Sequence, residues 1–371
     1  MKEKVALGLV FLLLMTLLPT LAFCGASSPQ AQEPAPSASS VDSTSQNAGS
    51  EASGSDKTNS SSPVGTDTGK SEPETSSNLP SDTASGSSDI FKILDTSTGN
   101  ILEVPRMDFL KGSAAAEMPL SFEIDALAAQ AVAAYTYYGR IRDKNRADPD
   151  ENLKGADFSA DVSKWEKYAT KEQMQERWGD NFDAYYEKLT QAAEKANGYV
   201  LTYEGELIDA TYYAISAGVT ESSKDIWGGD LPYLTQVASP GDELAAGFLT
   251  TETFSSDDLK KALSAAFPEL SFPDSPRDWF GKLTRSSSGS VTKAVVCGKE
   301  LEGGKLRSAL GLRSQNFTVS QKDDTFTFSV KGYGHGVGMS QTGAQYMAKQ
   351  GSDFKEILSW YYPGAKLAKI K

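Results

Sequence analysis

"SFEIDALAAQAVAAYTYYGRIR", residues 121–142, is the strongest helix signal in the chain. Ile124, Leu127, Ala128, Ala131, Val132 and Tyr135 recur at helical spacing. Ser121 is the expected N-cap, Glu123 and Asp125 suit the first turn, and Arg140 and Arg142 suit the last. The many alanines imply close packing against a neighbour.

Upstream, "DIFKILDTSTGNILEVP" (89–105) alternates apolar residues on both sides of "STGN", a hairpin signal. Downstream, residues 163–196 read as two polar, amphipathic helices. A hairpin turning at "EGE" is expected over 198–216, a capped helix over 255–267, and a strand with a short helix in "KAVVCGKELEGGKLRSALG". "NFTVSQKDDTFTFSVKGYGHG" reads as a hairpin, and 340–351 as a helix closed by Gly351. A last helix and a turn follow in "FKEILSWYYPGAKL". Strands and helices mix without βαβ regularity, so the expected class is α+β, in one large domain over 89–371.

Residues 1–26 read as an export signal: Lys2 and Lys4, then an apolar, uncharged run to Cys24. A cleaved signal peptide, a retained membrane anchor and a lipoprotein attached at Cys24 all stay open, though Phe23 is bulky for the last. Residues 27–88 hold Ser, Thr, Ala, Pro, Gly and acid with almost no apolar side chains, and read as a disordered tether. The domain is therefore expected outside the cytoplasm, tied to the membrane or released from it. A net charge of −13 argues against a general nucleic-acid binder. Of the two cysteines, Cys24 lies in the leader, so no disulfide framework is expected, and Cys297 reads as a small buried residue.

"GYGHGVGMSQ" (332–341) holds the sole histidine, His335, at a strand-to-helix junction. Glycine permits positive φ and close backbone approach, and a helix start offers free N–H groups. The plain alternative is a tight turn with a structural histidine. A P-loop is excluded because the Gly-Lys-Ser/Thr ending is missing. With no second histidine and no cysteine pair in the folded part, no metal site is expected. A Ser340–His335 pairing with an acid stays open, although no G-x-S-x-G elbow accompanies it.

In "AAAEMPLSFEIDALAAQAVAA" (114–134), Pro119 disfavours helix at Met118, so Glu117 is expected in a bend before the main helix. A carboxyl among alanines and a methionine loses solvation, which tends to raise its pKa, as a general acid for glycosidic cleavage requires. The alternative is a surface or helix-terminal carboxylate, and Glu123 is the competing acid. In "ATYYAISAGVTESSKDIWGGDLPYLTQVASPGD" (210–242), Tyr212, Tyr213 and Trp227 stand among small residues, as in saccharide clefts and also in ordinary cores.

Together these stretches resemble the stage II sporulation protein D family. The resemblance runs from about residue 90 to 367. It rests on "DFLKGSAAAEMP", "EIDALAAQAVAAYTY", "ANGYVLTYEGELI", "SAGVTESSKDIWGGDLPYL", "LRSALGLRS" and "GYGHGVGMSQTGAQYMAKQG". It implies a lytic transglycosylase. Such an enzyme cuts peptidoglycan between N-acetylmuramic acid and N-acetylglucosamine without water and leaves 1,6-anhydro ends. By kinship this implies septal wall remodelling in sporulation. The family's catalytic glutamate falls on Glu117. The implied substrate-binding set is His335, Ser340, Gln341, Tyr212, Tyr213, Ser216 and Tyr135. No cofactor is implied; a partner amidase or endopeptidase is. The chain departs from the family at Tyr135, where arginine is usual, at Tyr213, where histidine is frequent, and at Ala217-Gly218, where Gly-Gly is. Some relatives hold zinc mid-domain through His and Cys; residues 143–200 contain neither, so no metal is expected. A catalytically silent wall-binding module that supports a partner hydrolase is the alternative reading.

Overall fold

The structure, a computed structural model, describes residues 89–370, and the leader and tether read at 1–26 and 27–88 lie outside them. The expected first hairpin forms: β1 (Ile90–Asp95) pairs antiparallel with β2 (Ile101–Pro105), from Ile90↔Pro105 to Leu94↔Ile101. A helix that the sequence reading did not assign follows at once, α1 (Arg106–Glu117). Its second half, "GSAAAE", carries no apolar period to read, yet alanine is the best helix former. Phe109 and Leu110 bury its inner face.

The strongest sequence signal becomes α2 (Ile124–Ala147). Its cap is Glu123 rather than Ser121, with no side-chain cap bond, and it runs five residues past Arg142. Next come β3 (Phe158–Ala160), parallel to β1, and two helices, α3 (Lys171–Trp178) and α4 (Phe182–Ala196). β4 (Tyr199–Tyr203) turns through Glu204-Gly205 into the two-residue β5 (Glu206–Leu207). The expected hairpin over 198–216 stops there, because β6 (Tyr212–Tyr213) leaves that sheet. The short α5 (Ser223–Trp227) follows.

The chain then builds a second core of its own. β7 (Leu249–Ser255) leads into α6 (Ser256–Ala266), whose Leu259 and Leu263 are buried. β8 (Phe280–Arg285), β9 (Val291–Val296) and β10 (Lys299–Glu302) form one sheet. The expected single strand there is thus a hairpin, turning at Cys297 with φ +49°. Cys297 is half-exposed, not buried. After α7 (Gly303–Ala309), β11 (Phe317–Lys322) and β12 (Thr325–Lys331) form the expected second hairpin. β12 also pairs with β7, ending at Lys331↔Leu249. Alternation in β12 sends Phe326, Phe328 and Val330 inward, against Trp279, Leu306 and Phe317.

Beyond the glycine loop (332–338) the chain returns to the first core. β13 (Met339–Ser340) pairs in parallel with β6, at Met339↔Tyr212 and Ser340↔Tyr213. α8 (Gln341–Lys349) and α9 (Phe354–Tyr361) follow, and β14 (Lys366–Lys369) completes the sheet on β4. The first core gathers Phe91, Phe109, Leu127, Val132, Tyr138, Leu189, Ile357 and Leu358. The architecture is α+β. Among the described residues, no helix is long and apolar enough to cross a membrane.

Candidate functional site

Glu117, expected in a bend, is instead the last residue of α1, is 3% exposed, and the bend begins after it at Met118. Met118 turns extended, φ −127° and ψ 145°, as a residue before proline must, and its amide donates back to the Ala114 carbonyl at 3.0 Å. The bend after it is held from two sides. Lys188 on α4 donates to the Leu120 carbonyl at 2.8 Å, and the Glu123 amide donates to Gln345 Oε1 on α8 at 2.6 Å.

Two tyrosines share the carboxyl's surroundings. Burial first, and the Glu117 carboxylate second, push the hydroxyls of Tyr138 on α2 and Tyr212 on β6 well above their ordinary pKa. These two hydroxyls approach one another without reaching hydrogen-bond geometry. Alongside, Gln341 Nε2 reaches the Oε1 of Gln130 on α2 at 3.4 Å, a long contact, and Gln130 Nε2 has no partner among the described residues.

Adjacent residues of a strand face opposite ways, so Tyr213 points away from Tyr212. Its ring lies 5.4 Å from the His335 imidazole, and Trp227 at the end of α5 lies 5.2 Å from the same imidazole. The Val337 amide donates to His335 Nδ1 at 3.1 Å. An accepting Nδ1 carries no proton, so the neutral ring bears its hydrogen on Nε2. Burial, with the Arg307 guanidinium second, lowers the imidazole from 6.5 to about 3, and the Tyr212 backbone opposes. Nε2 makes no hydrogen bond within the described residues. His335 is thus a neutral donor rather than a proton shuttle near pH 7. Tyr212 joins the two groups: its hydroxyl sits in the field of Glu117 and its backbone beside His335.

The glycines of the loop serve the protein's own backbone. A Cβ at Gly338, φ +83°, would stand 2.1 Å from the Thr211 carbonyl oxygen, and one at Gly334, φ +118°, would stand 2.6 Å from Tyr213 Cβ. Close approach was expected for a ligand; here it lets the loop lie flat on residues 211–216.

The remaining expected site residues fall elsewhere. Ser340 caps α8, accepting from the Gly343 amide at 3.2 Å and donating to Asp242 Oδ1 at 2.7 Å. Ser216 Oγ accepts from the Gly218 amide at 3.0 Å and lies close to Asp242, whose carboxyl burial pushes up against the opposing hydroxyls of Ser216, Ser239 and Ser340. Tyr135 sits apart, edge-on to Phe91 at 5.3 Å, with the Arg106 guanidinium 5.9 Å from its ring centroid. Sequence reasoning missed Tyr138, Gln130, Glu221 and Asp242 as parts of this arrangement. Gln130 alone carried a signal, as a polar residue inside the alanine-rich face of α2.

A family model described as stage II sporulation protein matches residues 95–203, the stretch that contains Glu117. Over 274 residues the chain is 35% identical to stage II sporulation protein D of Bacillus amyloliquefaciens, covering 74% of this chain and 77% of that one. The chain belongs to the stage II sporulation protein D family. The same protein of Bacillus subtilis (strain 168) is 34% identical over the same shares. The amidase enhancer of that strain is 28% identical over 306 residues, 70% of this chain and 40% of its own length. Membership in the stage II sporulation protein D family gives the chain a sporulation role related to the cell wall.

Proposed function

We propose that this family member is an exported peptidoglycan lytic transglycosylase with Glu117 as its single acid and base. The carrying observation is the placement of that carboxyl: 3% exposed, at the carbonyl end of α1, with its charge felt by two buried tyrosines. A protonated Glu117 gives its proton to the oxygen linking N-acetylmuramic acid to N-acetylglucosamine as that bond breaks. The resulting carboxylate then takes the proton of the muramic 6-hydroxyl as its oxygen closes on the anomeric carbon. The nucleophile is intramolecular, so no second carboxylate and no water are required. His335, Gln341 and Tyr212 supply binding and orientation. The site works on septal wall in sporulation, outside the cytoplasm, with the N-terminal segment as its link to the membrane.

The test is digestion of purified glycan strands followed by mass spectrometry of the ends. Anhydro-muramic ends from the wild type and none from Glu117→Gln support the reading; full cleavage by Glu117→Gln overturns it.

A second reading is a wall-binding protein that supports a partner amidase. The similarity to a protein named amidase enhancer favours it, as does Tyr135 lying in a core aromatic cluster where the family usually has arginine. Binding to peptidoglycan with no release of soluble fragments would mark that case. A serine mechanism has no geometric support, because Ser340 is paired with Asp242 rather than His335.

A further inference from the structure

Glu221, between β6 and α5, is 3% exposed. Its amide donates to the Gly336 carbonyl at 2.7 Å, and Glu221 bridges Val337 in parallel, so it flanks His335 along the loop. Its side chain fills the space beside Gly336: a Cβ there would stand 2.9 Å from Glu221 Cγ. Oε1 accepts from the Ser290 amide at 3.3 Å, in the turn that joins β8 to β9 of the second core. Oε2 has no partner among the described residues. Ser288 Oγ, from the same turn, donates to the Thr220 carbonyl at 2.7 Å. Burial pushes the Glu221 carboxyl up, and the Ser290 and Ser286 hydroxyls oppose.

We propose that Glu221 is the positioning residue of the glycine loop: it fastens the loop to the second core and thereby holds the His335 imidazole in one tautomer, with its buried Nε2–H beside the Tyr212 backbone. The backbone pairing sets the height of the loop, and the packed side chain keeps it from sliding. Ser290 then anchors that side chain from the other core. Glu221 acts through His335 and touches no reacting atom. This inference does not rest on the function proposed above.

His335 is the sole histidine, so 15N-histidine labelling of the full chain, with no added histidines, reads one imidazole by NMR. The wild type is expected to show a single Nε2–H tautomer. Glu221→Gln, which keeps the shape and an oxygen acceptor, should retain it. Glu221→Ala should give a tautomer mixture. If Glu221→Ala does not fold, Glu221→Met, of similar length without the acceptor, is read in its place. A wild-type tautomer in Glu221→Ala or Glu221→Met, or a tautomer mixture in Glu221→Gln, overturns the proposal.

Discussion

Ser340 donates its hydroxyl hydrogen to Asp242 Oδ1 at 2.7 Å while accepting the Gly343 amide at 3.2 Å, so the same oxygen caps a helix and pairs with one oxygen of a buried acid. The hydroxyl is fully buried and committed. Ser340→Ala is therefore expected to cost about 1–3 kcal/mol of stability, through a lost cap and an underpaired carboxyl, with the chemistry of the folded fraction retained. Urea unfolding and a glycan-release assay on the same sample check both halves; loss of cleavage in fully folded protein would contradict them.

Glu117→Gln keeps the shape of the side chain and removes the transferable proton. Cleavage should fall by ~10²–10⁴-fold, the usual worth of a positioned acid or base, while pelleting with peptidoglycan stays at the wild-type level. Loss of binding in parallel with activity would mean that the residue holds the fold instead.

Acid should weaken the protein through His335. The folded imidazole lies at about 3 and the unfolded one near 6.5, so between those values only the unfolded chain takes up the proton. Stability from this group is intact above pH 6.5 and falls as pH drops toward 3, by at most about 1.4 kcal/mol per unit. Asp242 and Glu221, both raised by burial, act in the opposite sense, being protonated more readily when folded. Comparing urea midpoints of the wild type and His335→Gln from pH 7 to 4 isolates the histidine: the difference should shrink as pH falls. A constant difference would refute the assignment.

Gly338→Ala and Gly99→Ala form a matched pair, since both glycines have positive φ, +83° and +75°. Only at Gly338 would the added methyl meet backbone, at 2.1 Å; nothing lies within 4 Å at Gly99. Thermal unfolding should show about 1 kcal/mol lost at Gly99 and roughly 3 kcal/mol or more at Gly338. Equal losses would show that the loop does not lie on residue 211.

Much of the fold was legible because its signals were local. Alternation around "STGN" and "QKDD" produced both hairpins, and the periodic stretch after Phe122 produced α2. α1 was missed because alanine, glycine and serine carry no amphipathic period, and its stability comes from Phe109 and Leu110 packing in the core. β6 was misassigned because its partner, β13, lies 127 residues downstream, beyond the reach of any local pattern. Among the site residues, Glu117 stood out through its proline neighbour. Asp242 and Glu221 did not, because an acid in a loop looks solvated until the chain folds over it.

The second core begins at Leu249 and ends at Lys331, which are strand partners, and just outside them the Gly332 amide donates to the Phe248 carbonyl at 2.7 Å. A segment that enters and leaves by one doorway behaves as a cassette. It can lengthen, shrink or be exchanged during descent while the route of the surrounding chain, and with it the spacing of Glu117 and Tyr212, is inherited unchanged.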